Sequence, residues 1–243
     1  MEAATFTNSN YFGKIEEIIY SSDTIFITTP DSVIKDIWNS IKQLPIKNKI
    51  ICHCSGSLSS KVFLNIENYN SYGYSIHPMF AFSDKYNSHK KLKEAFITIE
   101  GSSKYLIKMK TLFEKLGNNV QIISNENKVK YHLASVIVSN HVIGLINTSI
   151  SLLKECGFDE NKALEALGPL MLNNINNAIE KGVIQSLTGP IERCDTEVIK
   201  SHLDCLNEED RELYKLISKK LIQIAINKNQ NKDYSYLKGL LGG

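Results

Sequence analysis

An excess of charge of either sign is what this sequence most plainly lacks: 28 basic residues stand against 26 acidic ones, for a net charge of +2. The lysines are scattered, with no basic block interleaved with aromatics, so no nucleic-acid partner is expected. Long apolar runs are missing too. No stretch of about 18 residues is purely apolar, so no membrane span is expected. The first residues, MEAATFTNSN, have neither a basic start nor an apolar centre and do not read as a signal peptide. Cysteines number five, an odd count in 243 residues, which fits reduced thiols in a cytoplasmic protein rather than a disulfide framework. Cys52-His53-Cys54 has the residue types of a metal site. On a strand, however, the two thiols share one face while His53 points away, and no second ligand pair follows. No metal is expected, and the thiols read as core residues.

What is present is ordinary for a globular protein, 42% apolar and 22% charged residues in a length that suits one large domain or two small ones. The chain is organised around the proline-free stretch from Glu126 to Cys156. Leu133, Val136, Ile137, Ile143, Ile146, Ile150 and Leu153 recur at helical spacing. Apolar residues also fill the other faces, which predicts a buried helix. Within it lie His132, Ser135, Ser139, Asn140, His141 and Asn147. His132 and Ser139 fall about 20° apart around the axis, with Asn140 beside them. Buried polar groups are costly unless paired, so this stripe either anchors a polar network or faces a ligand.

Before that helix the pattern is α/β. Ile15, Ile18 and Ile19 predict a short helix. Strands are predicted at Asp23–Thr29, Lys49–Cys54, Tyr74–Phe80, Ala95–Glu100 and Val120–Ile123. Helices are predicted from Asp31, a candidate N-cap, to Leu44; over Leu58–Ile66, with Ser57 as cap; and over Ser103–Leu116. The alternation argues for a parallel, doubly wound sheet. After the spine helix the chain reads as all-α. Asp159 opens a helix to Glu180, kinked at Gly168-Pro169, and Gly182 closes it. Residues 183–194 read as a loop. Asp195 and Asn207 open two further helices, and the tail 228–243 reads as mobile. Two domains are therefore expected, 1–124 and 125–243. No internal repeat is found.

A doubly wound dinucleotide site begins with a strand, a G-x-G-x-x-G turn and a helix. This chain contains no G-x-G-x-x-G, and its sheet starts mid-pattern, as though a first β-α-β unit lay before Met1. In such sheets ligands sit beyond the carboxyl ends of the strands. Three polar turns fall there: Thr28-Thr29-Pro30-Asp31, Ser55-Gly56-Ser57 and His77-Pro78. Ser-Gly-Ser offers backbone N–H groups as an anion seat, or is simply a tight turn with a cap. Asp31 reads more as a cap than as a ligand. Arg193, in the loop Leu187–Asp195, could clamp a carboxylate, while Asp195 reads as a cap. On the spine, His132 or Lys130 is a candidate proton donor and Asn140 an orienting amide.

The segments TTPDSVI, CHCSGSLSS, IHPMFAF, KYHLASVIVSN and LTGPIERCDTEVIKSHL, in that order, resemble the Rossmann-like oxidoreductases of the domain-of-unknown-function 2520 family over about residues 5–227. The resemblance implies an NADP-binding domain, 1–124, lacking its first β-α-β unit. It also implies a helical C-terminal domain, 125–243, like that of 6-phosphogluconate dehydrogenase, with kinship to ketopantoate reductases and β-hydroxyacid dehydrogenases. Thr28, Thr29, Pro30, Ser55 and Gly56 would then border the cofactor, NADP or else NAD. Ser57, His77, Ser139 and Arg193 would meet a small carboxylate substrate. His77-Pro78-Met79 is also similar to a turn of prephenate dehydrogenases in which the histidine faces the substrate. The spine would carry the catalytic residues His132, Asn140 and Lys130. Here the spacing departs from the relatives: four residues beyond Lys130 stands Ala134, and four beyond His132 stands Val136, which leaves the acid open. Cys194 stands where glycine is more usual.

Two functions are expected from this. The first is an NADP-dependent reductase of a small 2-oxo or β-hydroxy acid, ketopantoate foremost. The alternative is a non-catalytic relative that keeps the fold and a dimer interface but binds no dinucleotide. Homodimerisation is expected from the apolar all-α half.

Overall fold

A computed structural model describes residues 1–242. The chain divides into two compact units, Met1–His141 and Val142–Gly243. The architecture is an α/β Rossmann-like sheet followed by an all-helical segment.

In the first unit the strands are β1 (Thr24–Ile27), β2 (Ile50–His53), β3 (Tyr72–Met79), β4 (Phe96–Gly101) and β5 (Val120–Ile122), paired in chain order. β1, β2 and β3 run parallel, as do β4 and β5, but β4 is antiparallel to β3. The expected all-parallel sheet is corrected at this one pair. A parallel crossover is usually carried by a helix, whereas the connection from β3 to β4 holds only a 3₁₀ segment, Ser88–Glu94, and the chain turns back.

Side chains alternate across the sheet. Ile25, Ile27 and Ile51 face one layer, packed under α2 (Ile15–Ser21) and α3 (Asp31–Ile41) through Ile19, Ile34, Trp38 and Ile41. Burying a large apolar side chain contributes about 2 kcal/mol. Cys52, Tyr74, Ile76, Ile97 and Ile99 face the other layer, under Met109 of α4 (Leu106–Lys115); α4 follows α1 (Glu2–Thr7), α2 and α3 in the chain. Cys52 and His53 therefore point opposite ways, the His53 ring standing 5.4 Å from Phe63 in the first layer. On the second face β1 is bare: Phe26 is 42% exposed and borders an apolar hollow of about 350 Å³ with Cys54, Ile76 and Phe113.

The expected helix over Leu58–Ile66 is instead two 3₁₀ turns, Ser60–Val62 and Ile66–Tyr69. Asn65 and Asn70 adopt left-handed backbone on either side of the second turn and break the run. The unit ends in α5 (Lys128–Val136) and a π-turn, Ile137–His141.

The second unit comprises α6 (Val142–Glu155), α7 (Glu160–Lys181), α8 (Val183–Ser186), α9 (Pro190–Arg193), α10 (Thr196–Cys205), α11 (Glu208–Lys228) and α12 (Ser235–Leu240). Asp159 caps α7 through the Lys162 N–H at 2.9 Å, and Asn207 caps α11 through the Asp210 N–H at 2.9 Å. Pro169 lies inside α7 without ending it. Cys194 has φ 61°, the left-handed conformation glycine adopts most easily. The expected loop 183–194 contains α8 and α9. The tail, expected to be mobile, folds: Tyr234, Leu237 and Leu241 are buried with Ile191, Ile199 and Ile222, and the Tyr234 hydroxyl donates to the Glu192 carbonyl at 2.7 Å. Its last residue, Gly243, lies outside the described residues.

The spine is helical from Asn125 to Glu155, and by length and composition alone it is long and apolar enough to cross a membrane, a test that helices of soluble proteins also pass. One expectation about it is corrected. It is not buried: Leu133, Ile137, Val138 and Ile143 are exposed. Its apolar faces have too little of this one chain to pack against.

Candidate active site

The site grows out of the carboxyl end of β2, where the chain turns through Ser55-Gly56-Ser57. The Ser55 hydroxyl donates to Asp31 Oδ2 at 2.6 Å and accepts the N–H groups of Ser57 at 3.1 Å and Leu58 at 2.9 Å. Ser57 also donates to Asp31 Oδ2, at 2.8 Å. Asp31 therefore ties the β1 and β2 turns together; its side chain makes no capping bond on α3, whose N-cap position is Pro30. The anion seat expected from these backbone N–H groups is largely filled from within. Ser55 takes two of them, and Glu100 of β4 takes the Ser60 N–H at 2.6 Å and its hydroxyl at 2.7 Å.

Onto this turn close three imidazoles and one ammonium. The Ser55 N–H donates to His53 Nδ1 at 3.2 Å, which leaves the ring hydrogen on Nε2. His53 Nε2, Lys128 Nζ and His132 Nδ1 are all buried without a hydrogen-bond partner among the described residues. Lys128 is 1% exposed, and its Nζ stands 5.3 Å over the Tyr131 ring. His77 Nδ1 lies 2.7 Å from the Tyr131 hydroxyl. Gly56 is required here for space. A Cβ on it would come within 2.7 Å of His132 Nδ1 and 2.9 Å of His77 Nε2, while its own φ is not positive.

Burial brings the Lys128 ammonium down to about 8, against the pull of Glu100, Asp31 and Cys54. Burial, with the Lys128 charge adding to it and the Ser59 backbone and Asp31 opposing, lowers His53 to about 4. Burial, then Lys128 and His132, lowers His77 to about 4. An unpaired buried ammonium costs several kcal/mol. Groups perturbed by burial together with specific charges are concentrated at functional sites.

Of the residues singled out in the sequence, Ser55, Gly56, Ser57, His77 and His132 come together. Thr28, Thr29 and Pro30 lie exposed just beyond β1, leading into Asp31. Lys130 is exposed, two residues or about 200° around α5 from Lys128, and does not join them. Ser139 and Asn140 are exposed on the π-turn: the Ser139 hydroxyl is 2.7 Å from the Ser135 carbonyl and 3.0 Å from Asn140 Oδ1. Arg193 belongs to the second unit, is 60% exposed and faces Asp195 at 3.7 Å; the Asp195 side chain makes no capping bond. Sequence reasoning missed Lys128, Tyr131, His53 and Glu100. A signal for the first was available: Lys128 precedes His132 by four, the spacing that puts two side chains on one helix face.

The same fold occurs in solved structures. Protein TM1727 from Thermotoga maritima matches at 29% identity with a TM-score of 0.73, over 86% of this chain and 80% of that one. BF3122 from Bacteroides fragilis, which carries the name of an NADP oxidoreductase, matches at 22% identity and 0.71, over 91% and 83%. Pyrroline carboxylate reductase from Plasmodium falciparum, solved with NADP bound, matches at 13% identity and 0.59, over 90% and 80%. No curated protein matches the chain. Residues 95–221, just over half of the sequence, match a family model described as Domain of unknown function (DUF2520), and the chain belongs to that family.

Proposed function

We propose that the chain is a nicotinamide-dependent oxidoreductase, with NADP as cofactor or else NAD, acting on a small 2-oxo or β-hydroxy acid of the ketopantoate type. What carries this reading is Lys128, a buried ammonium with no partner of its own beside the Ser55-Gly56-Ser57 turn. The proposed domains are a cofactor domain, 1–124, and a helical domain, 125–243. Thr28, Thr29, Pro30, Ser55 and Gly56, all at strand carboxyl ends, suit the nicotinamide end of the cofactor, whose reduced form supplies hydride when bound. As hydride reaches the carbonyl carbon, the Lys128 ammonium gives its proton to the oxygen, and solvent reprotonates the amine. Its lowered proton affinity makes that donor effective near neutral pH. His77 and His132 orient the substrate over Gly56. Titration with NADPH should change the nucleotide's fluorescence saturably. A panel of 2-oxo acids, ketopantoate included, should then consume its reduced nicotinamide absorbance.

One observation favours the alternative of a non-catalytic relative. The chain has no G-x-G-x-x-G for the pyrophosphate. Unchanged NADPH fluorescence at high protein concentration would select that alternative.

The working assembly is a homodimer. The second unit exposes Leu172, Ile175, Ile179 and Val183 along α7 and α8, an apolar surface that a second copy would cover. Light scattering should give twice the mass of one chain; the mass of a single chain would remove the dimer.

A further inference from the structure

We infer that the π-turn Ile137–His141 is a hinge, a short section of the spine about which the second unit swings on the first. The hinge stands whether or not the chain reduces an oxo acid. The spine is one helix from Asn125 to Glu155, yet its hydrogen-bond register widens over five residues between α5 and α6. The division between the two units falls at the end of that section, after His141. A helix that serves only as a strut has no use for such a section: i→i+5 turns are rare and concentrate at functional sites.

Three features leave the section soft. Ile137 through His141 are all exposed, so little packing braces them. The Ser139 hydroxyl donates to the Ser135 carbonyl at 2.7 Å and lies 3.0 Å from Asn140 Oδ1. A serine bonded back to the carbonyl four residues earlier competes with the helical amide and bends the helix. Gly144, just beyond, gives the backbone extra freedom. A Cβ placed there would meet nothing within 4 Å, so close packing does not account for that glycine. The preceding turns are firm by contrast. Lys128 is 1% exposed, and the Tyr131 hydroxyl stands 2.7 Å from His77 Nδ1. Bending at the π-turn therefore moves the second unit and leaves Lys128 and His132 where the first unit holds them.

The test is pulsed electron spin resonance, with spin-labelled non-natural side chains replacing Lys35 on α3 and Glu165 on α7, both exposed and one in each unit. Labelled protein is diluted in unlabelled protein, so that only distances within one chain are read. A π-turn holds one residue more than a regular turn, so a single deletion closes it. Val138, 72% exposed, is the residue whose loss leaves no cavity. The wild-type distance distribution should be about twice as wide as that of the Val138 deletion. Amides of residues 138–146 should exchange about tenfold faster than those of 147–155, and the deletion should remove the difference. Ser139→Ala removes the competing bond without shortening the chain and should give an intermediate width. If the deletion does not fold, Ser139→Ala decides: a narrower distribution supports the hinge and an unchanged one overturns it. A wild-type distribution as narrow as that of the deletion, or even protection along the whole spine, would also overturn it.

Discussion

Lys128 and His132 stand one turn apart on the same face of α5, and each ends in a buried nitrogen with no hydrogen-bond partner among the described residues. An isolated charge in that position weakens the fold and is kept only where something else depends on it. His132 reaches the Ser55-Gly56-Ser57 turn from the helix and His77 reaches it from β3, while the Lys128 charge is felt by Glu100, Asp31 and Cys54 around it.

Lys128→Met should separate activity from stability. Removing the unpaired ammonium while keeping an apolar stem should raise the unfolding free energy by about 1 kcal/mol. Loss of the proton donor should lower oxo-acid turnover by about 10²–10⁴-fold. Urea midpoints and steady-state rates on the same preparations check both. A variant that is less stable and equally active would mean the lysine is structural.

The histidines set the acid limit of stability. His53 and His77 are pulled from near 6.5 to about 4, so between those values the unfolded chain binds more protons than the native one. Stability is full above about 6.5 and is lost as the pH falls toward 4. Urea midpoints measured from pH 4 to pH 7 should rise across that window, and His53→Gln should flatten the rise.

Ser55 is buried, and its hydroxyl donates to Asp31 and accepts from two backbone N–H groups. Ser55→Ala should cost about 1–2 kcal/mol, since two turn donors lose their acceptor. Asp31 is exposed, so Asp31→Asn should cost less than about 1 kcal/mol yet raise KM by loosening the turn. Equal losses from both substitutions would contradict this division.

Leu237 is fully buried. Leu237→Ala should destabilise the helical unit by about 2–5 kcal/mol, read as a lower urea midpoint by circular dichroism. An unchanged midpoint would return the tail to the mobile state expected from its sequence.

How far the fold could be read from sequence followed from how local its causes are. β1 and β2 announce themselves as short β-branched runs, and Asp159 and Asn207 as caps, because each depends on neighbours within a few residues. The reversal of β4 depends on a connection without a crossover helix, and α12 on Tyr234 and Leu237 finding Ile191 and Ile222 far back in the chain. Asp31 looked like a cap because its serine partners lie 24 and 26 residues away. Lys128 was passed over for Lys130 because burial at a helix start is a tertiary property; only the four-residue step to His132 hinted at it.

The most direct test is the pH dependence of oxo-acid turnover by the wild-type chain. The acid must be protonated to act, and burial places the Lys128 ammonium near 8. Turnover should therefore fall about tenfold per pH unit above that point, with nearly all of it gone at every pH in Lys128→Met. A rate that stays level from pH 7 to pH 10, or a Lys128→Met variant as fast as wild type, would contradict Lys128 as the proton donor.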